Sequence, residues 1–173
     1  MPQNTDPNGV QVIDNFLPNY QFRPLKRLLL GSDFSWYFQE TVVHDSKEEG
    51  KHLPQFTYTF FRRVDGWTDR HRDVILPLID KLDPFTLVRI KANLTVAHSK
   101  NVLSGFHTDF ARHDLTTSIF YVSSTNGPTF FEGGSKVDCV ENRMVIFPSN
   151  LYHSGSFCTD QQKRVVINFN FIK

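Results

Sequence analysis

The chain has no uninterrupted apolar run of the ~18 residues that a membrane-spanning helix needs, so no such helix is expected. Cysteine is scarce. Only Cys139 and Cys158 occur, without a CxxC pairing, which argues against a disulfide framework and fits a reducing cytoplasm. Neither sign of charge dominates, with 19 Lys+Arg against 18 Asp+Glu and a net charge of +1, so there is no general electrostatic pull toward nucleic acid or an anionic membrane. Met1 to Asn8 are polar and include two prolines, and they lack the apolar stretch of a secretion signal. Repeats and dividing linkers are missing too. What the chain has in quantity is phenylalanine, 17 of 173 residues, the makings of an aromatic core suited to sheets. The length points to a single domain, 1–173, with a usable core.

Periodicity divides that domain into an N-terminal support region, about 10–83, and a strand-rich core, about 85–172. Val10–Asp14 reads as a short strand. Asn19 is placed to cap a helix over Tyr20–Leu30 that ends at Gly31. Ser35–Glu40 reads as a strand, and the polar stretch His44–Lys51 as a mobile loop, with 42–53 a candidate lid. Phe56, Tyr58 and Phe60 alternate in a further strand. A second helix is expected from Thr68 to Leu82, kinked or split at Pro77. Strands then follow at Leu87–Val96, Gly105–Asp109, Thr116–Val122, Thr129–Phe131, Val137–Cys139, Met144–Phe147 and Arg164–Phe171, with turns at Ser123–Pro128 and Gly133-Gly134. Short strands at near-regular spacing after two helices predict a mainly β, α+β fold, a barrel or jelly roll with helices outside.

Two H-x-D pairs occur, His71-Arg72-Asp73 and His107-Thr108-Asp109. In a helix, residues two apart project about 200° from each other, so His71 and Asp73 cannot easily share an ion. In extended chain they share a face, so His107 and Asp109 can. His113 sits in a charged turn, whereas His153 follows the apolar run Met144–Phe147 and its turn. His107, Asp109 and His153 are therefore the candidate ligands, two imidazoles and one carboxylate, the donor set of non-haem Fe(II) oxygenases. On the last strand Arg164, Val166, Asn168 and Asn170 alternate with Val165, Ile167, Phe169 and Phe171. The polar face turns an Arg toward the interior, where it needs a partner and is suited to grip a carboxylate. Tyr121 is placed to offer a hydroxyl to the same anion.

His107-Thr108-Asp109, then His153, then Arg164 resembles the H-x-D…H…R pattern of Fe(II)- and 2-oxoglutarate-dependent dioxygenases. Thr117–Val122, Gly133-Gly134, Asn142–Pro148 and Arg164–Phe169 add to the likeness, and Val12–Leu17 resembles the start of the prolyl-4-hydroxylase-like branch. The compact form is similar to short oxygenases of tailed bacteriophages, which would place it in a host cytoplasm. The resemblance implies a double-stranded β-helix (a jelly-roll, cupin-like barrel) binding Fe(II) at His107, Asp109 and His153. It also implies 2-oxoglutarate as cosubstrate, salt-bridged by Arg164 and hydrogen-bonded by Tyr121, with ascorbate as a reductant. Asn93 stands where relatives carry a hydroxyl, and Asn168 shares the Arg164 face. Phe110, Arg112, Asn170 and Trp67 are the candidate substrate contacts. The expected reaction is hydroxylation of a peptidyl (prolyl-like) or small-molecule C–H bond with release of succinate and carbon dioxide. Rival readings are a nucleic-acid-oxidising relative, a zinc or manganese barrel enzyme, and a non-catalytic β-barrel binding module.

Overall fold

The computed structural model describes residues 6, 8–42, 52–68 and 70–173. In chain order these form β1 (Gln11–Ile13), α1 (Asn19–Leu30), β2 (Tyr37–Gln39), β3 (Gln55–Arg62), β4 (Gly66–Trp67), α2 (Arg72–Leu82) and β5 (Thr86–Val96). They continue with β6 (Thr116–Tyr121), β7 (Thr125–Phe131), β8 (Lys136–Cys139), β9 (Arg143–Pro148), β10 (His153–Gly155) and β11 (Lys163–Ile172). The larger sheet runs β1-β9-β6-β11-β5-β3-β2, with β4 paired to β3, and the smaller runs β10-β7-β8. All pairings are antiparallel.

Strand β11 lies inside the larger sheet, between β6 and β5, and is covered on both faces. Its apolar set, Val165, Ile167, Phe169 and Phe171, is fully buried with Phe120 of β6 and with Leu25, Leu29, Ile75 and Leu78 of the helices. Burying each such side chain contributes about 1.5–3 kcal/mol, so this helix-covered face holds the register. The opposite face turns toward the smaller sheet. There Val166, Ile119, Tyr121, Val145 and Phe147 meet Phe131, Val137 and Cys139 in a second core. Two antiparallel sheets packed face to face, with helices outside the larger, form the jelly roll that strand spacing predicts. β11 pairs with β5 so that Arg164 faces Thr95, Val166 faces Asn93, Asn168 faces Lys91 and Asn170 faces Arg89. Since opposite residues share a face, this register builds one polar wall from two strands.

Several local expectations are corrected. Pro18, not Asn19, is the N-cap of α1, and no side chain caps it. The second helix starts at Arg72 rather than Thr68, because Gly66–Trp67 pairs with β3 as β4. Pro77 does not split it. The missing N–H would have bonded only to Asp73 in the first turn, and Ile75, Leu78 and Leu82 anchor the helix on both sides. Gly105–Asp109 is not a regular strand but a segment tied down by the isolated bridge of His107 to His153, with a second, Leu103 to Ser156, just before it. The turn read at Ser123–Pro128 is shorter. β7 already begins at Thr125, and Pro128 lies where the β7–β8 register shifts, a position that tolerates a residue without an N–H. The expected loop 44–51, and most of the candidate lid, lie outside the described residues.

Candidate metal centre and cosubstrate cavity

His107 and His153 are brought together by backbone. Each N–H donates to the other's carbonyl at 3.0 Å, the doubly bonded pair of an antiparallel ladder, and the two rings lie 4.6 Å apart between centroids. Each imidazole is then oriented by its own chain. Nδ1 of His107 lies 3.1 Å from the Gly105 carbonyl, and Nδ1 of His153 lies 3.0 Å from the Leu151 carbonyl. A carbonyl only accepts, so both Nδ1 atoms carry the proton and both Nε2 lone pairs are free for a metal. Burial, and then His107 beside it, push the His153 imidazole down to about 4, so it is neutral at physiological pH.

Asp109 completes the cluster. One ligand atom from each of His107, Asp109 and His153 fits within 4.8 Å of the others. Its carboxylate is held on both oxygens. Arg89 Nη2 donates to Oδ1 at 3.1 Å, and Asn170 Nδ2 and Thr117 Oγ1 donate to Oδ2 at 2.9 and 3.2 Å. Thr117 has one proton to give, so Ser149, 2.8 Å away, supplies the proton of the bond between those two hydroxyls. Burial alone would raise the carboxyl, but Arg89, the Asn170 bond and the imidazoles outweigh it and hold Asp109 below the ordinary carboxylate value. An anionic carboxylate with two imidazole lone pairs fits a divalent cation.

These ligands open onto a cavity of ≈ 240 Å³ that Arg164 also lines. Arg164 is buried, only 7 % exposed. It donates through Nε to the Gly127 carbonyl at 2.8 Å and through Nη2 to Thr129 Oγ1 at 3.1 Å, which leaves N–H groups of its fork unspent. Thr129 Oγ1 also accepts from the Tyr121 hydroxyl at 2.7 Å. With both acceptor sites used, the Thr129 proton is free to point into the cavity. A Cβ on Gly155 would stand 3.6 Å from both Arg164 Nη1 and Ser104 Oγ, so glycine there keeps the space beside the guanidinium open. Thr95 Oγ1, across the strand pair from Arg164, is buried without a hydrogen-bond partner among the described residues. Unspent donors around an open space suit a carboxylate.

No protein-family model and no curated protein sequence matches the chain. Solved structures do. The chain is similar to a prolyl hydroxylase of Trichoplax adhaerens in complex with a hypoxia-inducible-factor peptide fragment, at 14 % identity and TM-score 0.68, covering 96 % of this chain and 84 % of that one. It is similar to the viral collagen prolyl hydroxylase of Paramecium Bursaria Chlorella virus-1 in its 2-oxoglutarate complex, at 12 % identity and TM-score 0.60, covering 98 % and 99 %. HygX of Streptomyces hygroscopicus, with nickel and 2-oxoglutarate bound, matches at 9 % identity and TM-score 0.60, covering 95 % and 83 %. The fold is that of the 2-oxoglutarate oxygenases.

Within this oxygenase fold the other expected residues divide. Asn93 and Asn168 line the cavity. Tyr121 does not. It is fully buried, and its phenol, raised to about 12 by burial, stays protonated and donates to Thr129. Asn170 is not placed as a substrate contact, because it is buried and bonded to Asp109, Thr117 and Arg89. Phe110 packs beneath the Arg89 guanidinium, 5.3 Å from ring centroid to Cζ. Arg112 is exposed and bonded to Asp114, and Trp67 packs on Phe61 under Arg72. None of those three is in the cavity wall. His71 is not on a solvated helix face; it sits at the N-cap of α2, half-buried against Phe34 and Tyr58. Sequence reasoning missed Arg89, Lys91, Thr95, Thr117 and Thr129. The signal for the first three was present as the alternation of Arg89, Lys91, Asn93 and Thr95 with Ile90, Ala92 and Leu94 along β5.

Proposed function

We propose that this chain is an Fe(II)- and 2-oxoglutarate-dependent dioxygenase that hydroxylates a C–H bond of a peptidyl or small-molecule substrate, releasing succinate and carbon dioxide. The observation that carries the reading is that one cavity holds both the His107–Asp109–His153 donor set and the unspent guanidinium of Arg164. The solved neighbours support it, since they include 2-oxoglutarate-bound prolyl hydroxylase and HygX structures.

Iron and 2-oxoglutarate supply the oxidising chemistry when bound; the protein supplies position, charge and exclusion of water. His107 Nε2, His153 Nε2 and an Asp109 oxygen would hold the metal. Arg89, Asn170 and Thr117 hold the carboxylate by hydrogen bonds to both oxygens, which limits its freedom before a metal arrives. Arg164 would pair with the distal carboxylate of the cosubstrate, with Thr129 donating beside it and Tyr121 holding Thr129 in that orientation. Asn93, Asn168 and Thr95 furnish further hydrogen-bonding groups along the wall. Ascorbate would act only by keeping the metal ferrous. Two buried, free cysteines suit a reducing cytoplasm, and no described helix is long and apolar enough to cross a membrane. The near-neutral charge gives no support to a nucleic-acid substrate.

The test is formation of succinate from 2-oxoglutarate by protein purified without oxygen, then supplied with Fe(II), ascorbate and air. Succinate above a metal-free control is expected, and its loss in Asp109→Ala. Succinate at the control level, or full activity with zinc or manganese alone, would remove the assignment.

A further inference from the structure

Lys91 has no role in either half of the site described above. It sits in the middle of β5, half-buried, with its side chain in the cavity wall. Among the described residues its ammonium makes no hydrogen bond and no ion pair, whereas the neighbouring Arg89 is matched by Asp109. Burial, and then Arg89 beside it, push the Lys91 ammonium down to about 8, so the lysine stands in surroundings that call for an anion. Asn168, directly across the strand pair, also lines the cavity, and its Oδ1 is buried without a hydrogen-bond partner among the described residues.

Charge and position separate this pair from the cosubstrate end. Among the described residues, Arg89, Lys91 and Arg164 line the cavity against the single carboxylate of Asp109. A divalent metal and a dicarboxylate cancel each other, so the positive excess persists once both are bound. Lys91 lies opposite Asn168 and Arg164 opposite Thr95, four residues along the ladder, about 13 Å at ~3.3 Å per residue. The distal carboxylate at Arg164 therefore sits on a different rung from Lys91, and the proximal one would be taken by the metal, so Lys91 keeps its charge for another anion. The unpartnered Asn168 oxygen asks in addition for a donor from the incoming molecule.

On the dioxygenase reading, we propose that Lys91 and Asn168 form the receptor for the primary substrate, Lys91 binding its carboxylate and Asn168 an adjacent N–H or O–H. The substrate class is then a free amino acid or hydroxy acid rather than an internal peptide residue, whose carboxyl is tied up as an amide. One ammonium and a neutral amide suit a single negative charge, and a phosphate would call for more cationic donors.

Calorimetry on protein loaded with Zn(II) and 2-oxoglutarate, which binds without turnover, tests this. The probes are the common L-amino acids, α-hydroxy acids, the carboxamides of both, and their phosphate esters. At least one acid should bind, its carboxamide about tenfold or more weaker. Lys91→Met should weaken that acid by about tenfold or more while 2-oxoglutarate affinity stays within about twofold, and Lys91→Arg should restore part of the loss. An unchanged acid affinity in Lys91→Met, equal binding of acid and carboxamide, preference for the phosphate esters, or a panel that does not bind would overturn the proposal. So would a loss of 2-oxoglutarate affinity in Lys91→Met, which would move Lys91 into the cosubstrate end. If the unsubstituted protein binds neither Zn(II) nor 2-oxoglutarate, the dioxygenase reading itself has failed, an outcome separate from all of these. Melting curves of both variants establish that they fold.

Discussion

Asn170 stands between Asp109 and Arg89. Its Nδ2 donates to the Asp109 carboxylate at 2.9 Å while its Oδ1 accepts from Arg89 Nε at 2.9 Å, and Arg89 itself reaches the other carboxylate oxygen. The three side chains form a closed ring of hydrogen bonds from two paired strands and the H-x-D segment. Asn170→Ala opens that ring without touching a proposed ligand. Metal affinity should fall by about 10–100-fold, read by competition with a chelating dye. An unchanged affinity would show that Asp109 needs no support.

Arg164→Ala should cost about 2–5 kcal/mol in 2-oxoglutarate binding, because the cosubstrate's distal carboxylate would be left buried without its partner. Calorimetry on the zinc-loaded protein measures this, and equal affinity would displace Arg164 from the cosubstrate site.

Gly155→Ala is a milder probe of the same end. The added methyl meets Arg164 and Ser104 at ordinary contact distance, so the melting temperature should hold. The methyl nevertheless occupies space beside the guanidinium, and 2-oxoglutarate affinity should drop by about tenfold or more. A loss of stability with intact affinity would be the opposite of this expectation.

Tyr121→Phe removes a buried donor to Thr129 and should lower stability by about 0.5–1.5 kcal/mol. If Thr129 is held in its donating orientation by Tyr121, 2-oxoglutarate affinity falls as well, by less than in Arg164→Ala. Denaturant melts and calorimetry separate the two effects.

The metal-free protein should lose stability between neutral pH and pH ~4 through His153. The folded-state imidazole is lowered from 6.5 to about 4, so within that window the unfolded chain binds the proton and the folded chain does not. Stability therefore rises with pH across the window. Asp109, whose folded value is depressed, adds its own loss only as pH falls toward and below 3.8. Melting temperatures of metal-free protein from pH 4 to 7 check the slope, which His153→Gln should flatten.

Much of this arrangement is legible in the sequence where a pattern is local. Alternation assigned both faces of β11, and two-residue spacing placed His107 and Asp109 on one side even though Gly105–Asp109 is not a regular strand. What alternation cannot give is depth along a strand. Asn170 was read toward substrate, but register against β5 sets it behind Asp109 beside Arg89. Thr129 went unnoticed because Ser123–Pro128 reads as a turn, which hides the start of β7 and leaves Tyr121 apparently facing the anion. Arg89 and Lys91 were legible in the β5 alternation, but pairing each with its partner needs the three-dimensional ladder.

Strand β11 divides its duties by parity. Odd-numbered positions from Val165 to Phe171 sit in the helix-covered core, while even-numbered Arg164, Val166 and Asn168 look into the cavity. Asn168, with its counterparts Lys91 and Asn93 on β5, belongs to neither core and can therefore be exchanged with little effect on what keeps the chain folded, unlike Val166, which packs in the second core. On the proposed reading, preference for a new substrate is thus open to drift one residue at a time, on a frame that stays put.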